Sequence, residues 1–159
     1  MSNMLMKSNL DNAVRVLAKL HRCAETMLSL VMQLQASIGG SEAKCQEELF
    51  GSEVFARFRD FRNEGHHGLP PTNEEWNELS RLIEEAFPRF YQFVTIDHRL
   101  THDQLRLCQL MHLSFPHHVI MRIMDVDSNR VTRLKAQANR RLFGDGHAST
   151  LERNIRLHF

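Results

Sequence analysis

The sequence contains few cysteines, and they are not spaced as the ligands of a metal site are. Cys23, Cys45 and Cys108 are scattered through 159 residues without a CxxC or CxxH pair. A disulfide framework and a zinc site are therefore not expected, and a reducing cytoplasm fits this cysteine usage best. No apolar run approaches the roughly 20 residues that a membrane-spanning helix requires, so no membrane contact is expected.

The usual signatures of an enzyme are missing as well. There is no GxxxxGK or GxGxxG loop for phosphates and no HExxH pair. The histidine pairs His66/His67 and His117/His118 are adjacent in the chain, and neighbours on a helix point about 100° apart, so they are poorly placed to share a metal. The acidic residues near Glu75 have the pattern of a solvated helix face. We expect no catalytic residue, no cofactor and no metal.

Strand-like alternation is also absent, and helical periodicity dominates, which predicts an all-α fold. The first helix is predicted to be long and amphipathic, and to end at Gly39 and Gly40. His21 and Gln35 interrupt its apolar stripe. Its apolar residues occupy the two core positions of a heptad: Leu10, Val14, Leu17, Ala24, Leu28, Val31 and Ile38. Leu20, Met27 and Leu34 widen the stripe, so a helix hairpin or small bundle is as plausible as a coiled coil.

Two capping boxes mark later helix starts. Thr72 with Glu75 begins a helix that ends before Pro88, and Thr101 with Gln104 begins another. Pro116 is expected at the first position of the next helix, and the turn DVD precedes a helix capped by Asp127 or Ser128. This last helix, residues 128–142, has one apolar stripe: Val131, Leu134, Ala138 and Leu142.

Charge is distributed unevenly along the chain. Residues 1–98 hold 10 Lys and Arg against 14 Asp and Glu, a net −4, whereas residues 99–159 hold 10 against 5, a net +5. Between Arg130 and Arg141 there are five basic residues and no acidic one. Such a concentration favours a polyanionic partner, although a solvated basic helix covering a core would have the same pattern.

Two short helices joined by a tight turn, the second of them basic, have the layout of a helix-turn-helix, whose second helix can enter the major groove of double-stranded DNA. Arg can bond to guanine and Asn or Gln to adenine, which makes four residues candidates for base contacts: Asn129, Arg130, Arg133 and Gln137. Four others are candidates for phosphate contacts: Thr132, Lys135, Arg140 and Arg141.

The segment "LTHDQLRLCQLMHLSFPHHVIMRIMDVDSNRVTRLKAQANRRLFG" resembles the C-terminal LuxR/GerE-like helix-turn-helix of bacterial transcriptional regulators that often carry tetratricopeptide repeats. The similarity includes the Leu100-Thr101 opener, Cys108 and the ending Arg140 to Gly144. Weaker similarity extends back to about residue 46. The resemblance implies DNA binding and transcription regulation. It leaves open whether the chain is a fragment of a longer regulator or a shortened relative.

The sequence departs from that family at several positions. Ser114 stands where the family has Gly, Val119 and Met121 replace parts of a Glu-Ile-Ala run, and Asn154 stands where Phe is usual. A larger residue at 121 is expected to open the angle between the two helices. The rival interpretation is therefore a helical protein-interaction module that kept the fold and lost specific DNA binding.

The sequence thus predicts three segments. Residues 1–45 are expected to form a helical oligomerisation segment, residues 46–98 a helical connector, and residues 99–159 the helix-turn-helix domain. A homodimer through the N-terminal helices is expected, because a long apolar stripe in water is otherwise uncovered.

Overall fold

The computed structural model describes residues 2–159, with side chains described at residue 10 and from residue 12 onward. All regular secondary structure in the described chain is helical and there is no strand, which confirms the predicted all-α class. Its eight helices are α1 Ser2–Gly51, α2 Glu53–Arg59, α3 Asn73–Ala86, α4 Pro88–Gln92, α5 His102–His112, α6 His117–Met124, α7 Ser128–Phe143 and α8 Leu151–His158.

Helix α1 is continuous through Gly39 and Gly40, so the helix break predicted there was wrong. A glycine within a helix costs about 1 kcal/mol relative to alanine, but it keeps the N–H that proline lacks and so leaves the hydrogen-bond ladder intact. The helix ends instead at Gly51, where the side chain of Ser52 caps α2 by accepting a 3.1 Å hydrogen bond from the Phe55 N–H.

The chain divides into two compact units, Met1–Ser41 and Glu42–Phe159. In the first unit the apolar stripe lies in water: Leu17 and Leu28 are 65% and 62% exposed. The second unit has a core of its own. No helix in the described part of the chain is both long enough and apolar enough to cross a membrane. The predicted limits of the three segments stay predictions.

The core of the second unit runs without interruption from the connector into the last four helices. Phe58 and Trp76 meet edge to face at 4.8 Å, and Leu107, Ile120 and Leu134 are almost completely buried in the same cluster. Burial of such side chains stabilises a fold by about 1.5–3 kcal/mol each. The predicted connector and the predicted helix-turn-helix region are therefore packed as one body.

Arg122 on α6 contributes polar contacts to this packing. Its guanidinium donates to the carbonyl oxygens of Phe61 at 2.7 Å, Asn63 at 2.9 Å and His66 at 2.7 Å. These acceptors lie in and just after the short helical turn Asp60–Arg62. One side chain thereby holds the segment that follows α2 against α6.

Both predicted capping boxes are confirmed. Thr72 and Glu75 exchange hydrogen bonds at the start of α3, and Thr101 and Gln104 do so at the start of α5. Helix α3 ends at Ala86, before Pro88. Pro116, predicted inside α6, is instead its N-cap residue, with extended backbone at ψ 160°. Its fixed φ suits this position equally well, and the missing N–H costs no helical hydrogen bond.

Candidate nucleic-acid interface

Helix α7 is held in place by its cap and its apolar stripe. Asp127 is the N-cap residue, and its carboxylate accepts a 2.7 Å hydrogen bond from the Arg130 N–H. The four stripe residues predicted from sequence are all buried: Val131, Leu134, Ala138 and Leu142. The helix packs on α5, α6 and α8. Its basic side chains therefore project from its flanks or from the side that faces away from these helices.

The side of α7 that faces away from the buried stripe holds five of the predicted site residues. At about 100° of rotation per residue, Asn129, Arg133 and Arg140 lie more than about 140° from the middle of the buried stripe. All three are exposed. Thr132 and Gln137, also exposed, lie on either side of them. The structure thus brings five of the eight predicted residues together on one solvent-facing surface, which we call the outer face.

Arg130 and Arg141 point from the flank of α7 toward α5. The Arg130 guanidinium forms an ion pair with Asp103 at 2.7 Å. Arg141 donates to the carbonyl oxygen of Arg99 at 3.2 Å and to Gln104 Oε1 at 3.4 Å. Both arginines remain partly or largely exposed, but their guanidinium groups already have partners within the chain.

Lys135 lies on the other flank of α7. Its side chain is partly buried, and this burial lowers the pKa of its ammonium group, while the nearby Glu152 carboxylate acts in the opposite direction. A lysine in this position can extend its charged end past the apolar surface that covers its stem. Among the predicted site residues it is the one set furthest from the outer face.

A shallow depression of about 280 Å³ lies beside the outer face and is lined by Gln104, Arg133, Ala136, Gln137, Arg140 and Arg141. Of these lining residues, Gln104 donates from Nε2 to Gln137 Oε1 at 3.5 Å. Three arginine side chains border this depression. Because Ala136 between them is small, the phosphates of a DNA strand can approach them. Positive charge on a concave surface attracts anions more strongly than the same charge on a flat one.

The turns on either side of α6 depend on residues with left-handed backbone. Ser114, in the position where the resembling family has Gly, has φ 61°, and Asp125, the C-cap residue of α6, has φ 53°. Glycine adopts this conformation without strain, whereas a serine is strained there by roughly 1–2 kcal/mol. Ser114 therefore holds this turn at a cost in backbone strain.

The other departures from the family are accommodated in the core. Val119 is buried, and Met121 is partly buried against the same hydrophobic cluster. Neither side chain therefore leaves an apolar patch on the outer face of α7. Methionine has a flexible side chain, which suits it to a partly buried position against this cluster.

Sequence reasoning missed a polar network that joins α7 to α8. Asn139 is fully buried, and its amide donates to the His147 carbonyl oxygen at 2.7 Å and to Thr150 Oγ1 at 2.9 Å. Asn154 donates to Asn139 Oδ1 at 3.0 Å. The Thr150 hydroxyl, followed by the His147 N–H, holds the pKa of Asp145 at about 2. Asn154 was visible in the sequence as a departure from the family, but its partners were not.

No grouping of three or more His, Cys, Asp or Glu side chains in the described part of the chain could hold a metal ion. His117 instead shares a 3.0 Å hydrogen bond with Ser128 at the start of α7. His66 lies 3.3 Å from the Arg57 guanidinium.

Comparison with known proteins yields no relative. The chain matches no protein-family profile, no curated protein and no solved structure. The function is therefore inferred from the geometry and charge of the outer face and its flanks.

Proposed function

We propose that this protein is a DNA-binding transcriptional regulator, or the effector part of one, and that α7 enters the major groove. The observation that carries the proposal is the composition of the outer face. Arg133 and Arg140 are exposed there beside Asn129 and Gln137, and α7 contains no acidic residue. These are the side chains that bond to base edges and phosphates, presented on the convex surface that fits a groove about 12 Å wide.

The residues of α7 divide between two roles. Asn129, Arg133 and Gln137 read base edges, and Arg130 joins them once it exchanges Asp103 for a base. An exposed ion pair of that kind is worth only about 0.2–1 kcal/mol, so little is lost when Arg130 leaves Asp103 for a base. Thr132, Lys135, Arg140 and Arg141 bind phosphates, which supply affinity without sequence preference.

The second candidate is a helical protein-interaction module without specific DNA binding. The observation in its favour is that Arg130 and Arg141 are already bonded to Asp103, Arg99 and Gln104. In that case the basic charge of α7 helps to hold α7 on α5, and only Arg133, Arg140 and the partly buried Lys135 remain for a partner. An acidic protein surface would satisfy them.

Selection from a pool of random DNA duplexes distinguishes the two. The DNA-binding proposal expects enrichment of a defined site by the intact chain, and loss of that enrichment in Arg133→Ala. The matched control is Arg59→Ala, which removes an equal charge from an exposed position on α2. Enrichment of no sequence would favour the interaction module, whereas equal enrichment by the wild type and Arg133→Ala would show that Arg133 does not read a base. A regulator of this kind would act in the bacterial cytoplasm, where its three free cysteines stay reduced.

A further inference from the structure

The first unit carries an apolar surface that its own helix leaves uncovered. Nine large side chains of the stripe are 48–65% exposed: Leu10, Val14, Leu17, Leu20, Met27, Leu28, Val31, Leu34 and Ile38. They extend along one helix from residue 10 to residue 38, about 42 Å at 1.5 Å per residue. A contiguous apolar surface of this length in water marks an interaction site.

The spacing of this stripe determines which positions meet in a coiled coil. Alternating steps of four and three residues place Leu10, Leu17, Ala24, Val31 and Ile38 at heptad position d, and Val14, His21, Leu28 and Gln35 at position a. Both polar interruptions, His21 and Gln35, therefore occupy position a, and none occupies position d. Leu20, Met27 and Leu34 precede the a positions and widen the apolar surface.

From this pattern we infer that the first unit pairs with the same segment of a second copy, in parallel and in register, as a two-stranded coiled coil. In a parallel pair, position a meets position a of the partner, so Gln35 faces Gln35 and His21 faces His21. Each polar side chain then has a polar neighbour. An Asn or Lys at a single a position specifies register and number of strands in this way, at a cost in stability.

An antiparallel pair, or a parallel pair shifted by one heptad, sets these polar side chains against apolar ones. In an antiparallel pair, position a meets position d, and every d residue from Leu10 to Ile38 is apolar. His21 and Gln35 would each be buried against apolar side chains without a hydrogen-bond partner, which is unfavourable for a polar group. A parallel pair shifted by one heptad sets Gln35 against Leu28 with the same result.

The surface is also large enough for a stable dimer. A side chain such as Leu or Val offers about 60–120 Å² of apolar surface, so nine of them on each of two copies bury about 1,100–2,200 Å². Stable interfaces bury about 1,200–2,000 Å² in total. The inference goes beyond DNA binding and does not depend on it, because the stripe shares no residue with α7.

Disulfide trapping without DNA tests the pairing. In a background with Cys23→Ser and Cys45→Ser, Leu10→Cys and Ile38→Cys are made separately and oxidised gently. Each variant should form covalent dimers of its own, since identical d positions meet in a parallel pair. The matched control is Gln33→Cys, on the outer side of the helix, which should remain uncross-linked. Circular dichroism verifies that each variant remains helical.

Light scattering on the unmodified chain completes the test, and a mass of two chains is expected. A mass of one, three or four chains would overturn the inference. So would the absence of cross-links at both positions, because an antiparallel pair centred on the stripe holds the two copies of residue 10 about 42 Å apart. Either failure would leave the DNA-binding proposal standing, and a failure of DNA binding would leave this one standing.

Discussion

The carboxylate of Asp103, at the start of α5, forms a 2.7 Å ion pair with the guanidinium of Arg130 on α7. This pair ties the candidate recognition helix to the helix beneath it, and both side chains are more than 40% exposed. It therefore contributes little to stability but determines where the Arg130 charge is directed before any partner arrives.

Removal of the Asp103 charge should strengthen DNA binding. Asp103→Asn frees Arg130 and removes a negative charge near the outer face, so the affinity for DNA at low salt should rise while the free energy of unfolding falls by less than about 1 kcal/mol. Fluorescence anisotropy and urea unfolding measure the two effects. Glu64→Gln, the same charge change in an exposed loop, is the control. Weaker DNA binding by Asp103→Asn alone would show that Arg130 needs this carboxylate in the complex.

The strained turn at Ser114 should be improved by glycine. Ser114→Gly relieves the left-handed strain and is expected to be more stable than Ser114→Ala by about 1–2 kcal/mol, because alanine keeps the Cβ that causes the strain. Thermal and urea unfolding of both variants provide the comparison. Ser149→Gly, at an exposed serine without positive φ, should instead be neutral or slightly destabilising. Equal stability of the Gly and Ala variants at 114 would contradict the turn geometry described here.

The stability of the second unit should fall between neutral and mildly acidic pH because of His112. The ring is stacked on Phe90 at 4.0 Å, and burial lowers its pKa to about 4. An unfolded histidine has a pKa of about 6.5, so as pH falls below that value the unfolded state takes up the proton first, and stability is lost until about pH 4. Since the ring is only partly buried, the loss should be on the order of 1–3 kcal/mol.

Urea unfolding at pH 7 and pH 4.5 checks this, with His112→Phe as the variant that keeps a ring in the stack but cannot be protonated. The variant should lose less stability than the wild type over the same interval. His67→Phe, at an exposed loop position, should behave like the wild type. If the free energy of unfolding falls equally in the wild type and in His112→Phe, another group is responsible for the acid sensitivity.

Base reading by Arg133 gives a fourth prediction. Arg133→Ala should weaken binding at the preferred site by about 1–3 kcal/mol and relax selection at one base position, because a bidentate guanine contact is lost. Arg133→Lys keeps the charge but not the planar fork, so it should restore affinity more than selectivity. Competition binding with single-base variants of the selected site measures both. An unchanged base preference in Arg133→Ala would assign Arg133 to the phosphates instead.

Short-range sequence patterns were sufficient to predict several of the helices and their buried faces. Thr72 with Glu75 and Thr101 with Gln104 predicted two helix starts because a capping box involves only residues three apart. The buried stripe from Val131 to Leu142 followed from helical periodicity, which depends on one helix and water alone. The outer face of α7 was predictable for the same reason, because it is the side of the helix opposite the buried stripe.

Features that depend on contacts distant in sequence were not predictable. The Arg130–Asp103 pair joins residues 27 apart, and the Arg122 contact to Phe61 joins residues 61 apart. The continuity of α1 through Gly39 and Gly40 was missed because glycine lowers helix stability without forbidding the conformation. Asn139 was likewise invisible, since a buried amide is recognised only by partners on the following loop and helix.

The salt dependence of DNA binding tests the central claim most directly. The logarithm of the association constant should fall linearly with the logarithm of salt concentration, because basic side chains on α7 and its flanks release counterions from phosphates. Arg140→Ala combined with Arg141→Ala should reduce the magnitude of that slope by roughly one to two units, while Arg59→Ala leaves it unchanged. A wild-type slope near zero, or a slope that the double variant does not alter, would contradict a role for α7 in binding DNA.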